Sequence, residues 1–186
     1  MRCFLSGELK PIVFLLGPSG SGKSTLASWV QEDLGYLHVE IDRANGYGID
    51  IEGLRIQWDK FRENNQPAEF AAEIRRRIAV AQKCGTILSF PSGDAFSLAN
   101  IISAREHGIF VAVLYGTGAE CLAAFLRRET ELERGFSAKH WVDNNAYSYA
   151  CFSLPFYEKC RIMAFERGKH RERKALVQEI AHLITH

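Results

Sequence analysis

The chain reads as an α/β protein built on a parallel five-stranded sheet. Short apolar runs rich in branched residues recur along its length, stretches of helical periodicity fill the intervals, and a glycine-rich turn joins the first run to the first stretch. Such alternation marks parallel strands linked by crossover helices, and runs that are apolar throughout belong to sheets covered on both faces. The 186 residues, 47% of them apolar, suffice for a core of their own, so residues 1–186 are taken as one domain.

Ile12–Leu16 is the first strand, followed by Leu37–Ile41, Thr86–Phe90, Ile109–Tyr115 and Arg161–Phe165. Lys23–Leu34 reads as a helix that stops at Gly35, the residue type that most easily adopts the left-handed end conformation. In Ala68–Lys83, Phe70, Ala71, Ile74, Ile78 and Ala81 share one helical face, and Arg75, Arg76 and Arg77 lie largely on the other. Three consecutive arginines suggest an anion site, but the amphipathic pattern makes them a solvated face. Ala95–His107, Ala119–Arg134, Ser137–Lys159 and Arg171–Ile184 complete the helices, with no repeat or low-complexity linker among them.

Twenty-three basic residues against 22 acidic ones give a net charge of +1, which offers no global attraction to nucleic acid or to a membrane surface. Cys3, Cys84, Cys121, Cys151 and Cys160 are scattered without a C-x-x-C pair and read as ordinary thiols of a reducing compartment. Met1–Ser6 lacks the apolar region of a signal peptide, and no apolar run approaches the roughly 18 residues of a membrane span. A cytoplasmic protein, monomer or homodimer, is expected.

The glycine-rich turn carries chemistry. Gly17-Pro18-Ser19-Gly20-Ser21-Gly22-Lys23-Ser24 satisfies G-x-x-x-x-G-K-[ST] in full, between the strand and helix that this motif requires. Glycines let the backbone turn its N–H groups inward around a phosphate, Lys23 reaches the β and γ phosphates, the Ser24 hydroxyl ligates Mg2+, and the helix N-terminus faces the same anion. Residues Gly17 to Thr25 are therefore the nucleotide-binding candidates, for ATP with magnesium. The guanine-reading N-K-x-D segment of GTPases is missing, and Asp50-Ile-Glu-Gly53 meets only the weak D-x-x-G pattern.

With this loop and element order, nearly the whole chain resembles the small P-loop kinases of the nucleoside monophosphate kinase-like group. Shikimate kinase, gluconate kinase, chloramphenicol phosphotransferase and polynucleotide kinase domains are among them. The resemblance implies a P-loop NTPase three-layer sandwich with strand order 2-3-1-4-5 and a helical lid at approximately 125–140. It also implies an acidic residue that ends the second strand and faces the acceptor, and arginines in the lid.

His38-Val39-Glu40-Ile41-Asp42-Arg43 places Asp42 at the carboxyl end of the second strand, where open α/β sheets bind ligands, as candidate base or orienting group for an acceptor hydroxyl. Asp42 as a turn residue and Arg43 as either an anion contact or a surface residue are the plainer readings. Phe125–Gly135 holds Arg127, Arg128 and Arg134; by resemblance Arg128 and Arg134 close over the triphosphate. The intervening acidic residues also allow ordinary ion pairs on a helix.

In Ser89-Phe90-Pro91-Ser92-Gly93-Asp94 no acidic residue sits on the strand itself. Asp94 either reaches the metal through water or caps a helix beginning at Ala95, and Ser89, Ser92 and Gly93 are candidates for the acceptor pocket. Glu166-Arg167-Gly168-Lys169 lies where related kinases pack adenine, and equally reads as a surface turn. Trp58 and Phe61, three apart, read as core packing before a substrate box.

The chain is thus expected to be an ATP-dependent phosphotransferase acting on a small-molecule hydroxyl. A polynucleotide 5′-hydroxyl kinase, or an ATP-binding regulatory module that signals by lid closure, are the alternatives.

Overall fold

The computed structural model describes residues 9–41, 60–61, 63–64, 67–90, 96–135 and 137–185. Its elements are β1 (Ile12–Leu16), α1 (Lys23–Leu34), β2 (Leu37–Glu40), α2 (Pro67–Val80), β3 (Thr86–Ser89), α3 (Leu98–Glu106), β4 (Ile109–Tyr115), α4 (Gly118–Glu131), α5 (Ala138–Phe152), a 3-10 turn (Pro155–Cys160), β5 (Arg161–Met163), β6 (Phe165–Glu166), β7 (Lys169–His170) and α6 (Arg173–Leu183). β1 to β5 form a parallel sheet in the order 2-3-1-4-5. β1 is central, and all five of its residues are fully buried.

Alternate residues of β1 serve opposite layers. Phe14 and Leu16 face a cluster with Phe61, Phe70, Phe90 and Phe96, in which the Phe14 ring lies 5.1 to 6.1 Å from each of those four rings. Val13 and Leu15 face Leu26 and Val30 of α1 and Leu176, Val177 and Ile180 of α6. Each large side chain in these layers contributes roughly 1.5–3 kcal/mol on burial, so the loop leaving β1 stands on a central strand packed on both faces.

The differences from the expected elements have local causes. The helix expected over Ser137–Lys159 breaks at Phe152, because Pro155 cannot donate to a continuing ladder and Leu154 before it is extended. The fifth strand stops at Met163. After it, Phe165–Glu166 pairs back on Lys169–His170 through a tight turn with positive φ at both Arg167 (51°) and Gly168 (74°). Glu166–Lys169 is thus a hairpin, and the described strands number seven rather than five. α3 begins at Leu98 with Ser97 as its cap, the hydroxyl accepting from the Asn100 amide at 3.1 Å; this replaces the expected start at Ala95 capped by Asp94. Asp94 lies outside the described residues.

Two further expectations are corrected. Arg75 is drawn under the sheet, donating to the carbonyls of Lys10 and His107, while Arg76 and Arg77 pair with Glu73; only Arg76 is fully on a solvated face. These groups sit at the amino-terminal edge of the sheet, remote from the loop. Cys84 is disulfide-bonded, so the free-thiol reading holds for Cys121, Cys151 and Cys160.

Candidate active site

At the carboxyl edge of β1 the chain leaves as Gly17–Gly22 and enters α1. Gly17 (φ 144°) and Gly20 (φ 88°) are positions where only glycine fits. A Cβ would fall 2.3 Å from the Leu114 carbonyl oxygen at the first and 2.1 Å from that of Cys121 at the second. The loop is thereby pressed between β4 and α4. Gly22 caps α1 without a side-chain hydrogen bond, and among the described residues the amides of Gly20 and Gly22 have no acceptor. An uncapped helix start with unpartnered amides is an anion cradle, so the residues present fit a nucleotide phosphate.

Lys23 curls over this cradle, its Nζ donating to the carbonyls of Gly17 (2.8 Å) and Pro18 (3.1 Å). A cavity of about 570 Å³ opens in front of it. Of the expected loop residues, Ser19, Gly20, Gly22, Lys23, Ser24 and Thr25 line this cavity, with the side chains of Ser24 and Thr25 exposed. Gly17, Pro18 and Ser21 are buried instead, Gly17 against Leu114 of β4.

Arg127, Arg128 and Arg134 line the same cavity from α4 and the turn that ends it. The turn is made by Glu133, at φ 53°, which folds Arg134 back so that its amide donates to the Glu129 carbonyl at 2.8 Å. Glu129, only 1% exposed, organises the pair. Arg128 reaches Glu129 Oε1 at 2.5 Å from Nη2 and 2.7 Å from Nε, and Arg134 Nη1 lies 3.8 Å from Oε2, an ion pair without a hydrogen bond. The Arg128 guanidinium also sits 5.3 Å from the Phe125 ring. The acidic neighbours read as mere ion-pair partners therefore include one, Glu129, that aims two arginines. Asp42, with Arg43, Trp58, Ser92 and Gly93, lies outside the described residues; Phe61 is fully buried in the core.

Ser89 is where the sequence places it, beside the cavity, whereas His170, Asn145 and Trp141 are contributors not evident as such from sequence. Ser89, at the end of β3, lines the cavity with Phe90, and its hydroxyl is 3.2 Å from Nε2 of the buried His38. His170, on β7, packs against Phe165 with 4.1 Å between ring centroids and a 52° tilt, and stands 3.6 Å from where a Gly22 Cβ would be. Burial, and then the nearby Arg127 charge, hold its imidazole below the ordinary histidine pKa, with Glu120 opposing them. Asn145 and Trp141 of α5 bond the backbone of Ser19. Only the hairpin puts His170 beside the loop, and only the fold puts α5 there, so no local pattern signals either.

Among the described residues no three His, Cys, Asp or Glu side chains form a metal cluster, and no helix is long and apolar enough to cross a membrane. A magnesium ion here would take the Ser24 hydroxyl as its protein oxygen, with phosphate oxygens and water completing the shell.

No protein-family model and no curated protein matches the chain. Solved structures do. A shikimate kinase from Bacteroides thetaiotaomicron matches at 16% identity over 95% of this chain and 99% of that one, with a TM-score of 0.53. A sugar kinase from Janibacter sp. HTCC2649 covers 95% of each chain at 15% identity and TM-score 0.52. A gluconokinase from Sinorhizobium meliloti 1021 matches at 15% identity over 96% of this chain and 93% of that one, with a TM-score of 0.51. At such identities the likeness establishes the fold, which is that of the small P-loop kinases.

Proposed function

We propose that the chain is an ATP-dependent phosphotransferase that moves the γ-phosphoryl group to a hydroxyl of a small-molecule acceptor. The observation that carries this reading is the single cavity with the uncapped loop and Lys23 on one wall and Arg127, Arg128 and Arg134 on the other. A loop alone binds a nucleotide; a lysine and several arginines lining one nucleotide-sized cavity are what stabilise charge on a phosphoryl group in flight.

In this reading the acceptor oxygen forms a bond to the γ phosphorus while the bond to the β,γ-bridging oxygen breaks, yielding ADP and a phosphate ester. Asp42 receives or orients the acceptor proton. Lys23 leaves the loop carbonyls for the β and γ oxygens, and Arg128 and Arg134 neutralise the equatorial oxygens and shut out water. The Ser24 hydroxyl would hold a magnesium ion, which would supply positive charge to offset that of the phosphate oxygens. The single domain of residues 1–186 carries the lid at approximately 125–140 within it. The kinases of like fold are named for sugars, gluconate and shikimate, which supports a small polar alcohol as acceptor.

The net charge of +1 disfavours a polynucleotide acceptor, since phosphate neutralisation dominates nucleic-acid affinity. Ser89 in place of a carboxylate at the end of β3 favours the regulatory module to that extent.

The test is ADP release by the purified chain with MgATP against a panel of hydroxylated metabolites, nucleosides and oligonucleotides, with Lys23→Ala as the blank. Stimulation by a small alcohol that vanishes in the variant supports the reading. Tight ATP binding with no stimulation by any compound points to the regulatory module.

A further inference from the structure

The loop is held at its apex by a helix that the motif does not include. Ser19 donates its amide to Asn145 Oδ1 at 2.7 Å and accepts on its carbonyl from Trp141 Nε1 at 2.8 Å. Trp141 and Asn145 are four apart in α5 and so share a face. The Asn145 amide is itself fixed, because Nδ2 donates to the Trp141 carbonyl at 2.7 Å, and that bond sets which end of the side chain meets Ser19. Asn145 is 1% exposed and Trp141 5%.

A second helix seats the next residue. Gly20 packs so closely on α4 that an added Cβ would lie 2.1 Å from the Cys121 carbonyl oxygen. Helices α4 and α5 are consecutive, and the turn between them carries Arg134. The same hairpin thus grips the loop at Ser19 and Gly20 and presents arginines to the cavity.

We infer that Asn145, with Trp141, is a positioning residue for the phosphate loop. By occupying both backbone groups of Ser19 it presets the loop so that the amides of Gly20 and Gly22 face the anion. This rests on the phosphotransferase reading of the site. A glycine-rich loop has much backbone freedom to lose on binding, and a preset loop has already lost it. Because the clamp acts on the loop and not on the γ-phosphoryl group, its loss weakens a diphosphate and a triphosphate equally, whereas the arginines act on the triphosphate alone.

The experiment is calorimetric titration of the full chain with MgADP and with a non-hydrolysable MgATP analogue, alongside melting temperatures, for wild type, Asn145→Ala and Trp141→Phe. Asn145→Ala strips one half-buried amide of its acceptor and is expected to raise both Kd values by about tenfold. Trp141→Phe keeps an aromatic six-membered ring, removes the donor to the Ser19 carbonyl together with the pyrrole half of the indole, and raises both by about threefold, so the inference stays testable if the first variant does not fold. Lower melting temperatures with both Kd values unchanged overturn the clamp and leave the phosphotransferase reading intact. A wild-type chain that binds neither nucleotide overturns that reading and the clamp with it.

Discussion

The two walls of the cavity are built by opposite means. The loop wall is backbone: glycines pressed on the carbonyls of Leu114 and Cys121, an uncapped helix start, and Ser19 bonded through its main chain. The arginine wall is side chain: Arg128 and Arg134 are each about half exposed and are oriented by one buried carboxylate, Glu129. A backbone wall has one shape whether or not a ligand is present, while a side-chain wall whose guanidinium groups stand half in solvent can redistribute by rotamer changes. The first is suited to binding and the second to closing over what is bound.

Variants on each wall sharpen this contrast. The largest effect is expected from Gly20→Ala, which forces a Cβ against the Cys121 carbonyl at a φ of 88°. A loss of about 2–4 kcal/mol in stability by urea unfolding, with nucleotide binding abolished in calorimetry, follows from strain that no side chain can relieve. Unchanged binding would show that the loop wall is adaptable after all.

On the other wall, Glu129→Gln keeps the shape of the side chain and removes its charge. Turnover is expected to fall about tenfold while the Kd for MgADP stays constant, since oriented charge matters in the transition state more than in the ground state. A parallel loss of MgADP affinity would erase the division of labour between the walls.

The smallest effect belongs to His170, which lies between them. Its folded pKa is below the unfolded one, so the unfolded chain binds more protons as pH falls through the ordinary histidine range, and folding stability declines there. Wild type is therefore expected to lose more melting temperature than His170→Gln between about pH 7.5 and about pH 5.5. Equal losses would mean that the imidazole is as well solvated folded as unfolded.

The same contrast explains what was legible in the sequence. The loop was readable because its chemistry is written in consecutive residues: strand, glycines, lysine and helix adjoin in the chain as they do in space. β1, β4 and α1 have the expected bounds for a similar reason, their apolar runs and the Gly35 stop being local signals. Arg128 and Arg134 were found as residues, but the role of Glu129 was not. Glutamates 129, 131 and 133 look alike in sequence, and only the left-handed turn at Glu133 brings Arg134 back to the buried one. His170 and Asn145 left no trace, because one is brought to the loop by a hairpin whose second strand has no signal of its own and the other bonds a residue 126 positions away. The Arg75–Arg77 run shows the converse, a conspicuous motif of which Arg75 fastens α2 to the far edge of the sheet and the other two pair within the helix.

The central claim is tested most directly by following the label of γ-phosphate-labelled ATP, with magnesium and the best acceptor from the screen, in wild type and Lys23→Ala. The account predicts that the label appears in an organic phosphate ester in equal amount to the ADP formed, and that the variant slows this by about 10²–10³. Label recovered only as inorganic phosphate, or a variant as fast as wild type, would contradict it.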